Sequence, residues 1–191
     1  MIPAAFAYAR PSTIDEALQA IADGGDDVKI LAGGQSLIPV MRLRMAAPEL
    51  VVDLTRCEGL RGVREDGDHL VVGAMTTHAD VLSDPLLAEY GQLLVQATET
   101  VADRQVRRRG TFGGALAHAD PAGDLPAVAL ALDALRHLGV SDIRMPLTPE
   151  RVWRAVHSGG DGGDRAAAVS NAQGLSSAEA ATASMTEGDL R

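Results

Sequence analysis

Hydrophobic and polar residues recur at helical spacing in the first part of the chain. Residues 12–23 have apolar positions three and four apart, which predicts an amphipathic helix. Thr13 and Glu16 have the spacing of a capping box at its start. Gly24–Gly25 is expected to end it, because glycine readily leaves the helical conformation.

Two short apolar runs follow, at residues 28–31 and 50–54, and both predict strands. The first strand is expected to be buried. Between them we predict a helix that runs through Leu43, with Ser36 as its N-cap. The order strand, loop, helix, strand predicts a small parallel unit, with a ligand at the carboxyl end of its strand.

The pattern changes near residue 60. Residues on both sides of Asp66–Gly67 predict a β-hairpin, and Thr77 is expected to start a short helix. An apolar stripe predicts one longer helix over residues 86–101. A further helix is predicted from Asp124, its expected N-cap, to a stop at Gly139. Local helices around a hairpin are typical of an α+β region.

Composition excludes several classes of function. The chain has 191 residues and a net charge of −9, so it is a poor general binder of nucleic acid. It has a single cysteine, Cys57, which rules out an internal disulfide and favours the cytoplasm. No apolar run is long enough to predict a membrane span, and the first 30 residues do not resemble a secretory leader.

Two glycine-rich stretches carry the candidate chemistry. The first glycine segment, residues 32–36, reads Ala-Gly-Gly-Gln-Ser, and the second glycine segment, residues 111–115, reads Thr-Phe-Gly-Gly-Ala. Paired glycines bring backbone close to a ligand and expose amide N–H groups to an anion. We therefore expect the two segments to hold a diphosphate from both sides, as in a dinucleotide. Neither matches the G-x-G-x-x-G or P-loop pattern.

Other polar residues leave alternatives open. Asp124 is interpreted either as a helix cap or as an acceptor for ligand hydroxyls, and Asp120 precedes it by four positions. The run Arg107–Arg109 is either a solvated loop or a source of positive potential for a diphosphate. His118 is more typical of a packing residue than of an acid or base. We predict no catalytic side chain and no metal site.

Two separated stretches resemble a known family. Residues 30–39, ILAGGQSLIP, and residues 107–126, RRRGTFGGALAHADPAGDLP, are similar to the two flavin motifs of the medium, FAD-binding subunit of molybdenum hydroxylases. That family includes aerobic carbon monoxide dehydrogenase and xanthine dehydrogenase-like enzymes. The resemblance runs from about Phe6 to Leu132. It implies an α+β fold with two FAD-clamping subdomains of the vanillyl-alcohol-oxidase (PCMH) type, over residues 1–55 and 56–139, incomplete at the C-terminus.

The resemblance also implies the cofactor, FAD, and its partners. Electrons in the family pass from a large molybdenum subunit through a small iron–sulfur subunit to FAD and then to an external acceptor. Val101 would line the pocket and Asp124 would hydrogen-bond the flavin side. Ala115 stands where the motif often has Asn, and Arg108 replaces a common Asn. The residues implied to contact the diphosphate and ribityl chain are Ala32, Gly33, Gly34, Gln35, Ser36, Thr111, Phe112, Gly113, Gly114 and Ala115.

The last third of the chain departs from that family. Residues 133–156 resemble instead the C-terminal tail of the large molybdenum subunit, so residues 140–157 are interpreted as a foreign tail. Residues 158–191 are rich in Ala, Gly and Ser, and we expect them to be disordered. Two alternatives follow. One is a truncated, non-catalytic fragment that docks on partner subunits without holding FAD, and the other is a generic α/β phosphate binder.

Overall fold

A computed structural model describes residues 2–67, 69–136, 138–140, 143 and 148–157. The chain forms two compact units, residues 1–131 and 132–191. The strands are β1 (Ala7–Ala9), β2 (Val28–Leu31), β3 (Leu50–Asp53), β4 (Val63–Asp66) and β5 (His69–Val72). The helices are α1 (Ile14–Gly24), α2 (Leu37–Arg42), α3 (His78–Ser83), α4 (Pro85–Tyr90), α5 (Gln92–Glu99), α6 (Arg104–Arg107), α7 (Phe112–His118), α8 (Asp124–Arg136) and α9 (Pro149–His157).

Strands β1, β2 and β3 form a parallel sheet in the order β1-β3-β2. The predicted parallel unit is therefore confirmed, with Val28 opposite Leu50, and β1 adds a third strand that the sequence pattern did not show. Ala17 of α1 packs in a small core with Val52 and Cys57. The expectation that the strand at residues 28–31 is buried was wrong: Ile30 is 51% exposed, because β2 lies at an edge of the sheet.

A polar cluster ties β1 to β3. The Tyr8 hydroxyl donates to the Asp53 carboxylate, and Arg10 Nε lies 3.7 Å from Asp53 Oδ2. Burial has the largest effect on the pKa of Asp53 and raises it. The hydrogen bonds from Tyr8 and Thr55, with the positive charge of Arg10, outweigh burial, so the pKa lies below its usual value. Asp53 is therefore held ionised at the carboxyl end of the sheet.

Local capping signals explain where two helices begin. Glu16 N donates to Thr13 Oγ1 at 3.1 Å and Thr13 N donates back to Glu16 Oε2, which confirms the capping box of α1. The same reciprocal pair, Thr77 with Asp80, begins α3. The helix after the first glycine segment also forms, as α2. Ser36 makes no side-chain cap bond there, so its predicted capping role was wrong.

The region after residue 60 contains the predicted hairpin, with β4 and β5 antiparallel and Asp66 opposite His69. The single helix predicted over residues 86–101 was wrong, because Gly91 (φ −127°, ψ 40°) interrupts it. The chain forms α4 and α5 instead. Asp84 caps α4 by accepting from the amides at positions 86 and 87 at 3.0 and 3.1 Å, with Pro85 in the first turn.

The predicted helix over residues 124–139 is confirmed as α8, and Gly139 follows it with φ +77°. Asp124 is the first residue of this helix, not the N-cap before it. In the second unit, α9 (Pro149–His157) lies within the predicted tail at residues 140–157. The segment predicted to be disordered, residues 158–191, lies outside the described residues.

Candidate functional site

A cleft of about 920 Å³ in the first unit brings the two glycine segments together. Every predicted site residue lines it except Phe112. Sheet and helix residues that the motifs did not include, among them Lys29, Leu37, His78 and Val106, complete its wall. The predicted site residues along the wall are Ala32, Gly33, Gly34, Gln35, Ser36, Val101, Thr111, Gly113, Gly114, Ala115 and Asp124.

The first glycine segment offers free hydrogen-bond donors. It directly follows β2, and Gly34 adopts φ +75°, a left-handed conformation that favours glycine. Gln35 Nε2 donates to the Gly33 carbonyl at 3.2 Å and helps to fix the turn. Within the described residues, the backbone N–H groups of residues 33–36 have no hydrogen-bond partner. Consecutive free amides of this kind are suited to an anionic ligand.

The second glycine segment differs, because its amides are already bonded. Phe112 N donates to Thr76 O and Gly113 N to Ala74 O, each at 2.9 Å. Gly114 N donates to Thr111 Oγ1 at 3.2 Å, which makes Thr111 the N-cap of α7. The expectation that free amides approach a diphosphate from both sides was therefore wrong for residues 112–114. These residues form the first turn of a helix instead of an open loop.

Close packing explains the glycines of the second segment. A Cβ added to Gly113 would lie 2.6 Å from Ala74 Cβ, and one added to Gly114 would lie 3.2 Å from Ala32 Cβ. In the first segment, a Cβ on Gly33 would lie 2.7 Å from Gly110 Cα. The two glycine segments are thus packed directly against each other, and glycine is required for the approach.

Asp124 contributes an acceptor at another part of the wall. Its Oδ2 accepts from Thr100 Oγ1 at 2.7 Å, so α8 is linked to the turn after α5. Asp120 Oδ1 accepts from Ala122 N at 2.9 Å and shapes the turn that leads into α8. The ligand-acceptor interpretation of Asp124 stays a prediction, and its carboxylate is placed on the cleft wall as that interpretation requires.

His78 is a cleft residue that the sequence did not single out. Its side chain is buried, and its Nδ1 atom has no hydrogen-bond partner among the described residues. Burial, and then the positive charge of Arg107, lowers the pKa of His78. The ring is therefore neutral at physiological pH and lies against Gly110. The sequence pattern around a single histidine at the start of a helix does not indicate that its ring lines a cleft.

The three arginines of the run Arg107–Arg109 differ in their surroundings. Arg107 Nη1 donates to the carbonyl oxygens of Val101 at 2.8 Å and Ala102 at 3.0 Å, while Arg108 and Arg109 are exposed. For Arg107, the structure therefore favours neither of the two open interpretations, since its guanidinium is bonded to backbone beside the cleft. His118 also lines the cleft.

The described part of the chain offers neither a metal-binding cluster nor a membrane-spanning helix. No group of three or more His, Cys, Asp or Glu residues there is placed to hold a metal ion. None of the helices described is both long and apolar enough to cross a membrane.

Comparison with known proteins identifies a family for most of the chain. The family described as "FAD binding domain in molybdopterin dehydrogenase" matches residues 4–148, beyond Leu132, where the sequence resemblance was expected to end. The carbon monoxide dehydrogenase medium chain of Hydrogenophaga pseudoflava is 46% identical over 134 residues, which is 70% of this chain and 47% of the relative. The 6-hydroxypseudooxynicotine dehydrogenase complex subunit alpha of Paenarthrobacter nicotinovorans is 45% identical, over 70% of this chain and 45% of its own length.

Solved structures give the same result for the fold. The carbon monoxide dehydrogenase of H. pseudoflava, in a form lacking the Mo-pyranopterin moiety of its cofactor, matches with a TM-score of 0.68 at 46% identity. The match covers 69% of this chain and 46% of that chain. The chain thus spans about half the length of the curated relatives it matches.

Proposed function

Because the chain belongs to the family of FAD binding domains in molybdopterin dehydrogenases, we propose that the cleft between its two glycine segments is where FAD binds. The observation that carries this proposal is the first glycine segment. Four consecutive amides, those of residues 33–36, have no partner among the described residues, and they line the cleft. A diphosphate is the part of FAD that such donors suit best.

The residues present fit that cofactor in two further respects. Asp124 lies on the cleft wall, where its carboxylate can accept hydrogen bonds from ligand hydroxyl groups. His78 Nδ1 is a buried polar atom without a partner in the described structure, as expected of a site built around a polar ligand. Both observations support a site for a large ligand with phosphate and hydroxyl groups.

We assign different roles to the two glycine segments. Residues 32–36 supply backbone donors to the diphosphate. Thr111 and Ala115 supply cleft surface, and Phe112 supports α7 without lining the cleft. Val101 provides apolar wall, and Asp124 accepts from the flavin side of the cofactor. Residues 1–55 and 56–139 are the two subdomains that hold FAD between them in this proposal.

The wider function follows from the family. When bound, FAD supplies redox chemistry, and the protein supplies position and electrostatics. We propose that the chain holds FAD between the iron–sulfur clusters of a small subunit and an external acceptor, in a cytoplasmic complex with a large molybdenum subunit. In this proposal no side chain of the cleft acts as a general acid or base. The buried neutral His78 and the carboxylate of Asp124 only bind and orient.

The direct test is the visible absorption of the purified chain after addition of FAD and removal of the excess. Retained bands at roughly 370 and 450 nm, typical of a protein-bound oxidised flavin, are the expected result. Titration then gives the dissociation constant. A colourless protein that is folded by circular dichroism would overturn the proposal, and it would favour a fragment that docks on partner subunits without FAD.

A further inference from the structure

We propose that Arg107 is a positioning residue for FAD, which sets the affinity of the cleft by fixing the turn at residues 100–102 without touching the cofactor. This inference rests on the proposed FAD site. Val101 and Ala102 line the cleft, whereas Arg107 is not among its lining residues. In this proposal Arg107 acts on the cofactor through the backbone of the turn, in addition to the positive charge that it exerts on His78 in the cleft wall.

The side-chain hydrogen bonds of Arg107 within the described residues are made to backbone oxygens. One nitrogen, Nη1, donates to Val101 O at 2.8 Å and to Ala102 O at 3.0 Å. These carbonyls follow α5, so the guanidinium satisfies acceptors just beyond a helix C-terminus. Hydrogen bonds from a charged donor are stronger than those between neutral groups. Arg107 therefore holds the two residues in a defined position.

The turn requires such support because its backbone is strained. Ala102 has φ +37°, in the left-handed region that residues other than glycine occupy at a cost. On its other side, Thr100 Oγ1 lies 2.7 Å from both Asp124 Oδ2 and Ala97 O, so its one proton is shared between a link to α8 and a bond back to α5. The turn is thus fixed at one end by Arg107 and at the other by a residue proposed to contact FAD. Loss of either contact lets Ala102 relax and displaces the cleft wall.

The geometry of α6 explains why Arg107, and not its neighbours, makes these contacts. Asp103 caps this short helix by accepting from the amides of Gln105 and Val106, each at 2.8 Å. The helix directs Arg107 back toward residues 101–102. Arg108, the next residue, is exposed, and its side chain has no hydrogen-bond or ion-pair partner in the described part of the chain. It carries the same charge and is a matched control.

The experiment compares three variants of the full chain, Arg107→Gln, Arg107→Lys and Arg108→Gln. The FAD dissociation constant is measured from the quenching of flavin fluorescence, and the thermal midpoint is measured without FAD. We expect Arg107→Gln to weaken FAD binding by about tenfold or more, since two charge-assisted hydrogen bonds are lost. Arg107→Lys should recover part of the affinity, because an ammonium can still donate to one or both carbonyls. Arg108→Gln should change it by less than about twofold.

Each outcome decides between explanations. If Arg107→Gln lowers the thermal midpoint but the folded protein binds FAD as the wild type does, the role is structural and the proposal is overturned. If the two glutamine variants lose equal affinity, diffuse positive potential explains the effect and the proposal is again overturned. Wild-type protein that binds no FAD refutes the proposed site itself. Should Arg107→Gln not fold, Arg107→Lys against Arg108→Lys gives the same comparison.

Discussion

Gly33→Ala is the sharpest test of the contact between the first glycine segment and residues 109–110, which lead into the second. A Cβ at this position would lie 2.7 Å from Gly110 Cα and 2.9 Å from the Arg109 carbonyl carbon, and still closer to the Arg109 oxygen. All three atoms are backbone and cannot move away as a side-chain end does. The optimal separation of two carbons is about 3.5–4.0 Å, so the segments have to separate by roughly 1 Å.

The separation should lower both the stability of the protein and its affinity for FAD. Inserting a methyl group into well-packed structure costs about 1–3 kcal/mol of unfolding free energy. The same shift moves the free amides of residues 33–36 relative to the residues of α7 that line the cleft. We expect FAD binding to weaken by about ten- to a hundredfold, which corresponds to about 1.4–2.8 kcal/mol.

Gly25→Ala is the matched control for the effect of the alanine itself. Gly25 has φ +71° and ψ −151°, a conformation that essentially only glycine adopts, and nothing lies within 4 Å of the position that a Cβ would take there, so the substitution adds backbone strain without a clash. That strain costs about 1–3 kcal/mol. Both variants should therefore lower the urea midpoint by comparable amounts, while only Gly33→Ala should weaken FAD binding. Equal FAD affinity in the two variants would refute the packing argument.

Three further predictions concern stability. Thr77→Ala removes the capping box of α3 and should lower the free energy of unfolding in urea by about 1 kcal/mol. Ser83→Ala, in the same helix, should lower it by only about a few tenths of a kcal/mol. Equal losses of unfolding free energy in the two variants would contradict the capping role of Thr77. Because the pKa of His78 is lowered in the folded protein, the unfolded chain binds the proton more tightly, and stability should fall as pH drops below about 6.5. His78→Gln should reduce that slope in urea midpoints measured from pH 7 to 5, and an unchanged slope would exclude His78 as its source. The pKa of Asp53 is also lowered, so its contribution is present above its unfolded pKa of about 3.9 and is lost as pH falls through the lower folded value. Asp53→Asn should reduce the dependence of unfolding free energy on pH at acid pH. The same pH dependence in the variant and the wild type would exclude Asp53 as its source.

Elements with local signals were predicted from the sequence, and those fixed by tertiary contacts were not. The capping boxes at Thr13 and Thr77 depend on a partner three residues away, so spacing alone reveals them. β1 has only three residues and forms because it pairs with β3, more than forty positions later in the chain. Gly91 ends α4 although the apolar stripe continues through it, because the stripe carries no information about backbone dihedrals.

The candidate site shows the same division. The two glycine segments were recognised because paired glycines are conspicuous, and the cleft brings them together. His78 and Arg107 were not recognised as parts of one site, because their importance depends on neighbours that only the folded chain supplies. Arg107 is placed by α6 against the turn after α5, and His78 is placed against Gly110 by the backbone bond from its own amide to Gly110 O at 3.0 Å.

The different roles of the two segments also have a tertiary origin. Both contain Gly-Gly, and both precede a helix, so their sequences predict the same free amides. Residues 74–78 lie along the second segment and accept from its amides at positions 112 and 113, whereas no described backbone oxygen accepts from residues 33–36. The amides that stay free for a ligand are therefore those of the segment that has no neighbouring backbone oxygen to accept from them. A glycine pair predicts close approach, and the partner that approaches is protein at one segment and, in our proposal, the FAD diphosphate at the other.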